Sequence, residues 1–204
     1  MPRTLVSQFP LIDQANNTGG LGIGFGQLAG VRYRGQAFVP TQATLNSVAI
    51  WYRSLGTTDT TVTLTAIDAG NLPTGVALYT WTIPNSQLQV GLTTYPLPTP
   101  YTGLTPGSKY GVYLAPTVGG TYTDDYHDLE MSNTNPYAPA DSFKYESGAW
   151  ARETGLDWVF ATGYPATRTL ATARALTNAR TLEDTLPAAP SAYGTGLYGT
   201  ATYS

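Results

Sequence analysis

The feature that most constrains this chain is a close succession of short segments in which apolar and polar residues alternate. In residues 61–66, Thr-Val-Thr-Leu-Thr-Ala, the side chains of Val62, Leu64 and Ala66 share one side of an extended chain. Further strand signals lie at residues 44–53, 76–83, 93–97, 109–114 and 157–161. Turns rich in Gly and Pro separate them, and helical periodicity is almost absent. The pattern predicts an all-β fold, a β-sandwich of the jelly-roll type.

Composition excludes several classes of protein. A length of 204 residues suits one domain with appendages, and charged residues make up 11% of the chain where about 25% is ordinary. The 42% hydrophobic content supports a packed core, which argues against disorder. A net charge of -3 argues against a general nucleic-acid binder. No apolar run is long enough to span a membrane, and without Cys there is no disulfide or thiolate nucleophile.

Shifts in composition divide the chain into three parts. Residues 1–35 form a predicted N-terminal arm, in which residues 16–26 hold too many glycines for a stable strand interior. Residues 36–164 form the predicted sandwich, which carries ten acidic and four basic residues. Residues 165–204 form a predicted C-terminal arm, and both arms are slightly basic. An arm of one copy is therefore expected to attract the acidic body of a neighbour.

A six-residue repeat lies within the C-terminal arm, where residues 168–185 contain three hexads that each begin Arg-x-Leu. An even period returns the leucines to one side of an extended chain, whereas on a helix they would be spread around the surface. An irregular helix is the alternative. Because an extended row of leucines buries too little alone, we expect it to contact a partner. The predicted partner-binding residues are Arg168, Leu170, Arg174, Leu176, Arg180 and Leu182.

Four stretches in the body carry a resemblance to a known family. They are Gln36-Ala-Phe38 followed by Leu45-x-x-Val48, Asn71-Leu-Pro73-Thr-Gly75, Leu104-x-x-Gly107-x-x-Tyr110, and Gly148-x-Trp150 leading to Asp157-x-x-Phe160. Over residues 36–164, the chain resembles the jelly-roll, carbohydrate-binding-module-like domains of tailed-phage structural proteins, of the decoration or head-fibre type. The resemblance implies a rigid module used for display, adhesion or stabilising an assembly, with no catalytic set.

The residues of these motifs also suggest individual structural roles. Gly107 is expected to relax a turn, because glycine adopts left-handed backbone conformations without a steric cost. Trp150 and Phe160 are expected to anchor the core. Gln36 is expected to bond the backbone near a sheet edge.

Titratable groups crowd at residues 124–130, which include His127, the single histidine. No Gly-x-Ser-x-Gly motif accompanies it, and the separation of any carboxylate pair, including one that uses Glu153, cannot be read from sequence. Oxygens of this cluster could instead bind calcium, or the cluster could be a solvated acidic loop. We predict no enzymatic activity and no required cofactor, with calcium as an alternative. The metal candidates are Asp124, Asp125, Asp128 and Glu130.

Aromatic residues in the polar part of the body could form a platform for sugar rings, since stacking aromatics with a few polar groups recognise saccharides. The candidates are Tyr126, Tyr137, Tyr145 and Trp150. Packing within the fold and contacts between subunits are the alternatives.

The function predicted from sequence is a non-enzymatic virion structural protein of a tailed phage, a capsid decoration or head-fibre protein. Its arms are expected to bind the major capsid protein or further copies of the chain and to stabilise the particle. The alternatives are a carbohydrate-binding module or adhesin that recognises a host-surface glycan, and a tail or baseplate component. The first ten residues lack the hydrophobic stretch of a signal peptide, so we expect assembly into virions in the host cytoplasm, without nucleic-acid or membrane partners.

Overall fold

The computed structural model describes residues 4–6, 11–26, 31–117, 126–134, 136–165 and 167–169. The chain divides into a compact unit, Ser7–Ala166, and a second unit composed of Met1–Val6 and Thr167–Ser204. Within the described residues the regular elements are β-strands, apart from a 3-10 turn at Asn85–Gln87, and no helix could cross a membrane. The all-β fold predicted from the alternating pattern is confirmed.

In chain order the strands are β1 (Thr4–Val6), β2 (Leu11–Asn16), β3 (Leu21–Phe25), β4 (Val31–Phe38), β5 (Leu45–Ser54), β6 (Thr60–Ile67), β7 (Pro73–Ile83), β8 (Gly91–Tyr101), β9 (Tyr110–Pro116), β10 (His127–Ser132), β11 (Ser142–Glu146), β12 (Ala149–Glu153), β13 (Asp157–Trp158), β14 (Phe160–Tyr164) and β15 (Thr167–Thr169). The compact unit contains two antiparallel sheets. One has six strands in the order β12-β11-β4-β9-β6-β7. The other has seven strands built around β5, which pairs with β8, β14 and β10. Strand β14 continues to β2, and β10 pairs with β3 and β13.

The core lies between the two sheets. Val48, Ile50 and Phe160 extend into it from the seven-stranded sheet, and Phe38 and Val112 meet them from the six-stranded sheet. The alternation read from sequence explains this placement, because every second side chain of a strand faces the same side. The β-sandwich prediction is confirmed.

The N-terminal region differs from the predicted arm. Residues 11–25 form β2 and β3 of the seven-stranded sheet, and the expected boundary at residue 36 lies inside β4. Glycines fit strand β3 because neighbouring side chains fill the space above them: a Cβ on Gly22 would lie 2.8 Å from Arg53 Nη1, and one on Gly24 would lie 3.0 Å from the Tyr126 ring. These strands are completed by their neighbours, which local glycine content does not reveal.

The second unit contains a two-stranded antiparallel sheet in which β1 pairs with β15. Leu5 lies opposite Arg168, the first residue of the hexad repeat. Strand β15 shows that the backbone at this start of the repeat is extended. The other predicted partner-binding residues lie outside the described residues; they are Leu170, Arg174, Leu176, Arg180 and Leu182.

Two of the roles assigned to motif residues hold in the structure and two differ. Gly107 has a φ of 83° in the turn before β9, and Phe160 is buried in the core. Gln36 bonds backbone as expected, since it donates to the carbonyl oxygens of Ala37 and Ala140, but it is buried in β4, an interior strand rather than a sheet edge. Trp150 lies on β12 at the edge of the six-stranded sheet, partly exposed on its outer face rather than in the core.

Candidate binding face on the six-stranded sheet

The outer face of the six-stranded sheet carries a cluster of aromatic rings. Its base is Phe143, whose ring covers Gly35 of the neighbouring strand and also approaches Gly111. A side chain at either glycine would overlap this ring, so the two glycines allow Phe143 to lie flat against the sheet. Phe143 is thus fully buried although it belongs to the outer face.

Four further rings surround this base. Trp150 is the hub: its ring centroid lies 5.1 Å from Tyr113, 5.1 Å from Tyr145 and 5.4 Å from Phe143. Tyr33 stacks on Tyr145 with a centroid separation of 5.2 Å. Trp150, Tyr145, Tyr33 and Tyr113 are all partly exposed. We name these four residues, with Phe143 beneath them, the aromatic face.

Threonines continue the same outer face on β6 and β7. The backbone register places Tyr113 opposite Thr63, and Thr63 opposite Thr80. The Thr80 hydroxyl donates to Thr63 Oγ1 at 3.3 Å, and the next pair along the strands is Thr61 and Thr82. Thr63 is buried, whereas Thr80 and Thr82 are exposed. The six-stranded sheet therefore presents aromatic surface at one side and the hydroxyl groups of β7 at the other, and Arg152 at the rim is paired with Asp141 at 2.5 Å.

The structure brings together two of the four residues predicted as a glycan platform. Tyr145 and Trp150 are cross-strand neighbours. Tyr137 is buried elsewhere, where its hydroxyl donates to Gln14 Oε1 and its ring packs edge-on against Phe160. Burial raises the pKa of the Tyr137 hydroxyl. Tyr126 is exposed beside Gly24 on the other sheet.

Sequence reasoning missed Tyr33, Tyr113 and Phe143 as members of this site. A partial signal existed for Tyr113, because it alternates with Val112 and Leu114, whose side chains face the core. Tyr33 lay in the region interpreted as an arm. Phe143 could be placed only with the strand pairing that sets it above Gly35.

Two of the four acidic candidates, Asp128 and Glu130, lie on the other sheet, in β10. Glu130 pairs with Arg53 and accepts from the Gly20 N–H, and Asp128 accepts from the Ser54 hydroxyl at 3.2 Å. Asp124 and Asp125 lie outside the described residues. In the described part of the chain, no group of three or more His, Asp or Glu side chains is arranged to hold a metal ion. His127 is fully buried, with Nδ1 accepting from the Gly56 N–H, and packs between Phe25 and Tyr52.

A buried polar cluster connects the two sheets. Asp157 accepts from Gln36 Nε2 at 3.0 Å and from the Tyr137 N–H at 2.9 Å, while Gln36 Oε1 accepts from the Trp158 N–H. Burial raises the pKa of the Asp157 carboxyl, although both hydrogen bonds oppose this shift. Nearby, Arg34 and Glu153 form an ion pair of 2.5 Å with each side chain 8% exposed. The polar groups of this cluster bond to one another, so we assign them a role in stabilising the fold.

Comparisons with known proteins add little to this geometry. No protein-family model matches the chain, and no curated protein matches it. Among solved structures, the chain is similar to the cysteine protease and lectin-like domains of Cwp84, a surface layer associated protein of Clostridium difficile, with 13% sequence identity and a TM-score of 0.47. The similarity covers 69% of this chain and 32% of that one.

Proposed function

We propose that this chain is a non-enzymatic recognition module that binds saccharide on the outer face of its six-stranded sheet. The observation that carries the proposal is the aromatic face, which continues into the threonines of β6 and β7. Sugar rings stack their C–H groups on aromatic surfaces, and their hydroxyls need donors and acceptors that can rotate. Tyr and Thr side chains supply both, and the sparse charge of the face favours a neutral sugar.

The experiment is a glycan array followed by calorimetric titration of the best ligand. Trp150→Ala should weaken binding by about fivefold, because a stacking contact of this kind contributes roughly 1 kcal/mol. The matched control is Trp51→Ala, which removes an exposed tryptophan from the outer face of the other sheet and should leave the affinity unchanged. Trp150→Phe keeps a ring above Phe143 and should preserve the fold with intermediate affinity. Failure of the wild type to bind any glycan would overturn the proposal.

We propose as a second function that the chain is a structural protein of a tailed-phage particle, a capsid decoration or head-fibre protein. The observation that favours it is the outer face of the seven-stranded sheet, where Leu11, Ile12, Trp51 and Leu92 are exposed. Apolar side chains gathered on one face indicate contact with another protein. The two functions are compatible, since a protein that contacts its neighbours through one sheet can present the other sheet to a glycan.

The test of the second function is incorporation into particles. A chain without residues 165–204 should keep the fold of the compact unit but be lost from purified particles, since we expect the basic arm to supply a contact in addition to that of the seven-stranded sheet. Circular dichroism and thermal unfolding check the fold, and mass spectrometry of particles measures incorporation. Normal incorporation of the truncated chain would refute the role assigned to the arm.

A further inference from the structure

Strand β7 is an edge of the six-stranded sheet, and it carries no charge. It is 11 residues long, and within the described residues β6 is the one strand that pairs with it. No charged residue occurs between Asp68 and Lys109, a stretch that includes all of β7. In an antiparallel ladder every second residue directs its backbone N–H and C=O groups away from the partner strand, so an edge strand leaves a row of these groups open for pairing.

Part of β7 lacks the features by which edge strands avoid pairing with other chains. Edge strand β8 contains prolines, whereas β2 and β12 contain charged residues. In β7 itself, register shifts opposite residues 64–67 of β6 interrupt the first half of the strand, and such bulges also discourage pairing. Residues 79–83 follow β6 without a shift and contain neither proline nor charge. The second half of β7 is therefore an open edge.

We infer that residues 79–83 pair antiparallel with the same residues of a second copy of the chain, which joins two six-stranded sheets into one sheet of twelve strands. The second copy is the partner because this stretch, Tyr-Thr-Trp-Thr-Ile, is complementary to itself. About a two-fold axis a strand faces its own residues, and like charges directly opposite would destabilise the pair. Here the opposed residues are uncharged, and β-branched and aromatic side chains favour extended strands.

The alternation of side chains in this stretch fits a two-fold axis perpendicular to the sheet. Thr80 and Thr82 are exposed on the outer face, whereas Trp81 and Ile83 are buried on the inner side. Such an axis keeps the outer faces of both copies on one side, so that threonines meet threonines and inner side chains meet inner side chains. An axis at Trp81 pairs all five residues and sets Thr80 of one copy opposite Thr82 of the other.

Aromatic surface next to the open edge adds to the contact. The Tyr79 hydroxyl accepts from the Thr99 N–H at 3.2 Å, and the Tyr79 ring centroid lies 6.2 Å from that of Tyr101. Tyr79 and Tyr101 are partly exposed, so a second copy at this edge can bury more of both rings. One strand and a few rings make a small interface, and we therefore expect a dissociation constant in the micromolar range.

The dimer would place two aromatic faces on one continuous sheet, with the exposed threonines of both β7 strands between them. Two sites held in a fixed arrangement bind a repeating ligand more tightly than one site does. This consequence rests on the proposed saccharide function, whereas the contact itself does not.

The first test is sedimentation equilibrium of the full-length chain at 500 mM sodium chloride, at which salt screens the contacts expected of the basic arm. The wild type should form dimers. Thr80→Lys should weaken dimerisation by about tenfold, because lysines on the two paired strands then lie close together. The matched control is Thr74→Lys, which adds the same charge at an exposed position in the first half of β7 and should leave the dimer unchanged. Circular dichroism and thermal unfolding check the fold of both variants.

The second test uses single cysteines, because the natural chain has none. Full-length Thr80→Cys is mixed with full-length Thr82→Cys under mild oxidation. Directly opposed residues of antiparallel strands have Cα atoms about 4.5–5.5 Å apart, which a disulfide can span. We expect a disulfide that joins positions 80 and 82, identified by peptide mass spectrometry. When Thr74→Cys replaces Thr80→Cys, the yield should fall at least tenfold.

Three results would overturn the inference. They are a wild type that stays monomeric at high micromolar concentration, equal weakening by Thr80→Lys and Thr74→Lys, and absence of the link between positions 80 and 82. Neither test uses a glycan or a phage particle, so failure of this contact would leave both proposed functions standing. Conversely, the dimer would stand if the wild type bound no glycan and entered no particle.

Discussion

Asp157 is the residue at which burial and charge oppose each other most directly. Its carboxyl accepts hydrogen bonds from Gln36 and from the Tyr137 backbone, yet burial keeps its pKa above the ordinary value. A raised pKa means that the folded chain holds the proton more tightly than the unfolded chain. The contribution of Asp157 to stability is therefore greatest below the ordinary aspartate range and is lost as the pH rises through the folded-state pKa.

The prediction concerns the difference in unfolding free energy between the wild type and Asp157→Asn. This difference should fall as the pH rises above about 4, the ordinary aspartate value, because only the wild type carries the titrating group. Urea unfolding followed by tryptophan fluorescence, at intervals from pH 4 to pH 8, measures it. Glu146→Gln, which removes a more exposed carboxylate, controls for the loss of one negative charge. A difference that stays constant or grows with pH would contradict the prediction.

Single residues also show where sequence reasoning succeeds. The turn at Gly107 was predictable, because a glycine between strand signals often marks a left-handed backbone. Gly35 was not, because its need to be glycine comes from Phe143, which lies 108 positions away in the sequence. A contact of that range becomes visible only when strand pairing is known.

Among the elements, strand β4 depends on a buried ion pair that joins it to β12. Arg34 pairs with Glu153 at 2.5 Å and also donates from Nε to the Gly24 carbonyl, so one side chain connects three strands. Both charged side chains are buried, and removal of one leaves the other without the opposite charge that offsets the cost of its burial.

Glu153→Gln should therefore lower the free energy of unfolding by about 3–5 kcal/mol. The matched control is Glu146→Gln, which breaks the Lys144–Glu146 pair, whose side chains are 26% and 35% exposed. An ion pair in contact with water contributes less than about 1 kcal/mol to the free energy of unfolding. Chemical denaturation of both variants at pH 7 decides the comparison, and equal losses would show that the Arg34 pair behaves as a surface pair.

Strand β8 shows the limit of element prediction from local signals. Local signals predict a strand at residues 93–97, and β8 extends through Pro96, Pro98 and Pro100 to Tyr101. Proline cannot donate to a neighbouring strand, but at a sheet edge that loss is harmless. Pairing of β8 with β5 in the seven-stranded sheet makes this extension possible. Alternation alone indicates that a strand exists, whereas neighbours decide its length.

At the scale of the whole molecule, sequence predicted the all-β sandwich because alternation and turn residues are repeated many times. It did not predict which strands pair, and the aromatic face depends on that pairing. Tyr145 and Trp150 were identified because they are close in sequence, whereas Tyr33 and Tyr113 join them through β4 and β9. The N-terminal boundary was misplaced for the same reason, since β2 and β3 are completed by β14 and β10.

The uneven charge of the whole chain leads to a final prediction about self-association. If the arginines of the repeat contact the acidic body of a neighbour, salt should screen the contact and weaken it. An increase from 50 mM to 500 mM sodium chloride should reduce the association constant by about tenfold, since each exposed pair contributes roughly 0.2–1 kcal/mol.

Arg174→Gln combined with Arg180→Gln should weaken association at low salt and remove most of the salt dependence. The control, Glu183→Gln with Asp184→Asn, removes acids from the same segment and should act in the opposite direction. Sedimentation equilibrium measures the association constant of the wild type and of both double variants. Association that strengthens with salt would mean that apolar contact alone holds the copies together.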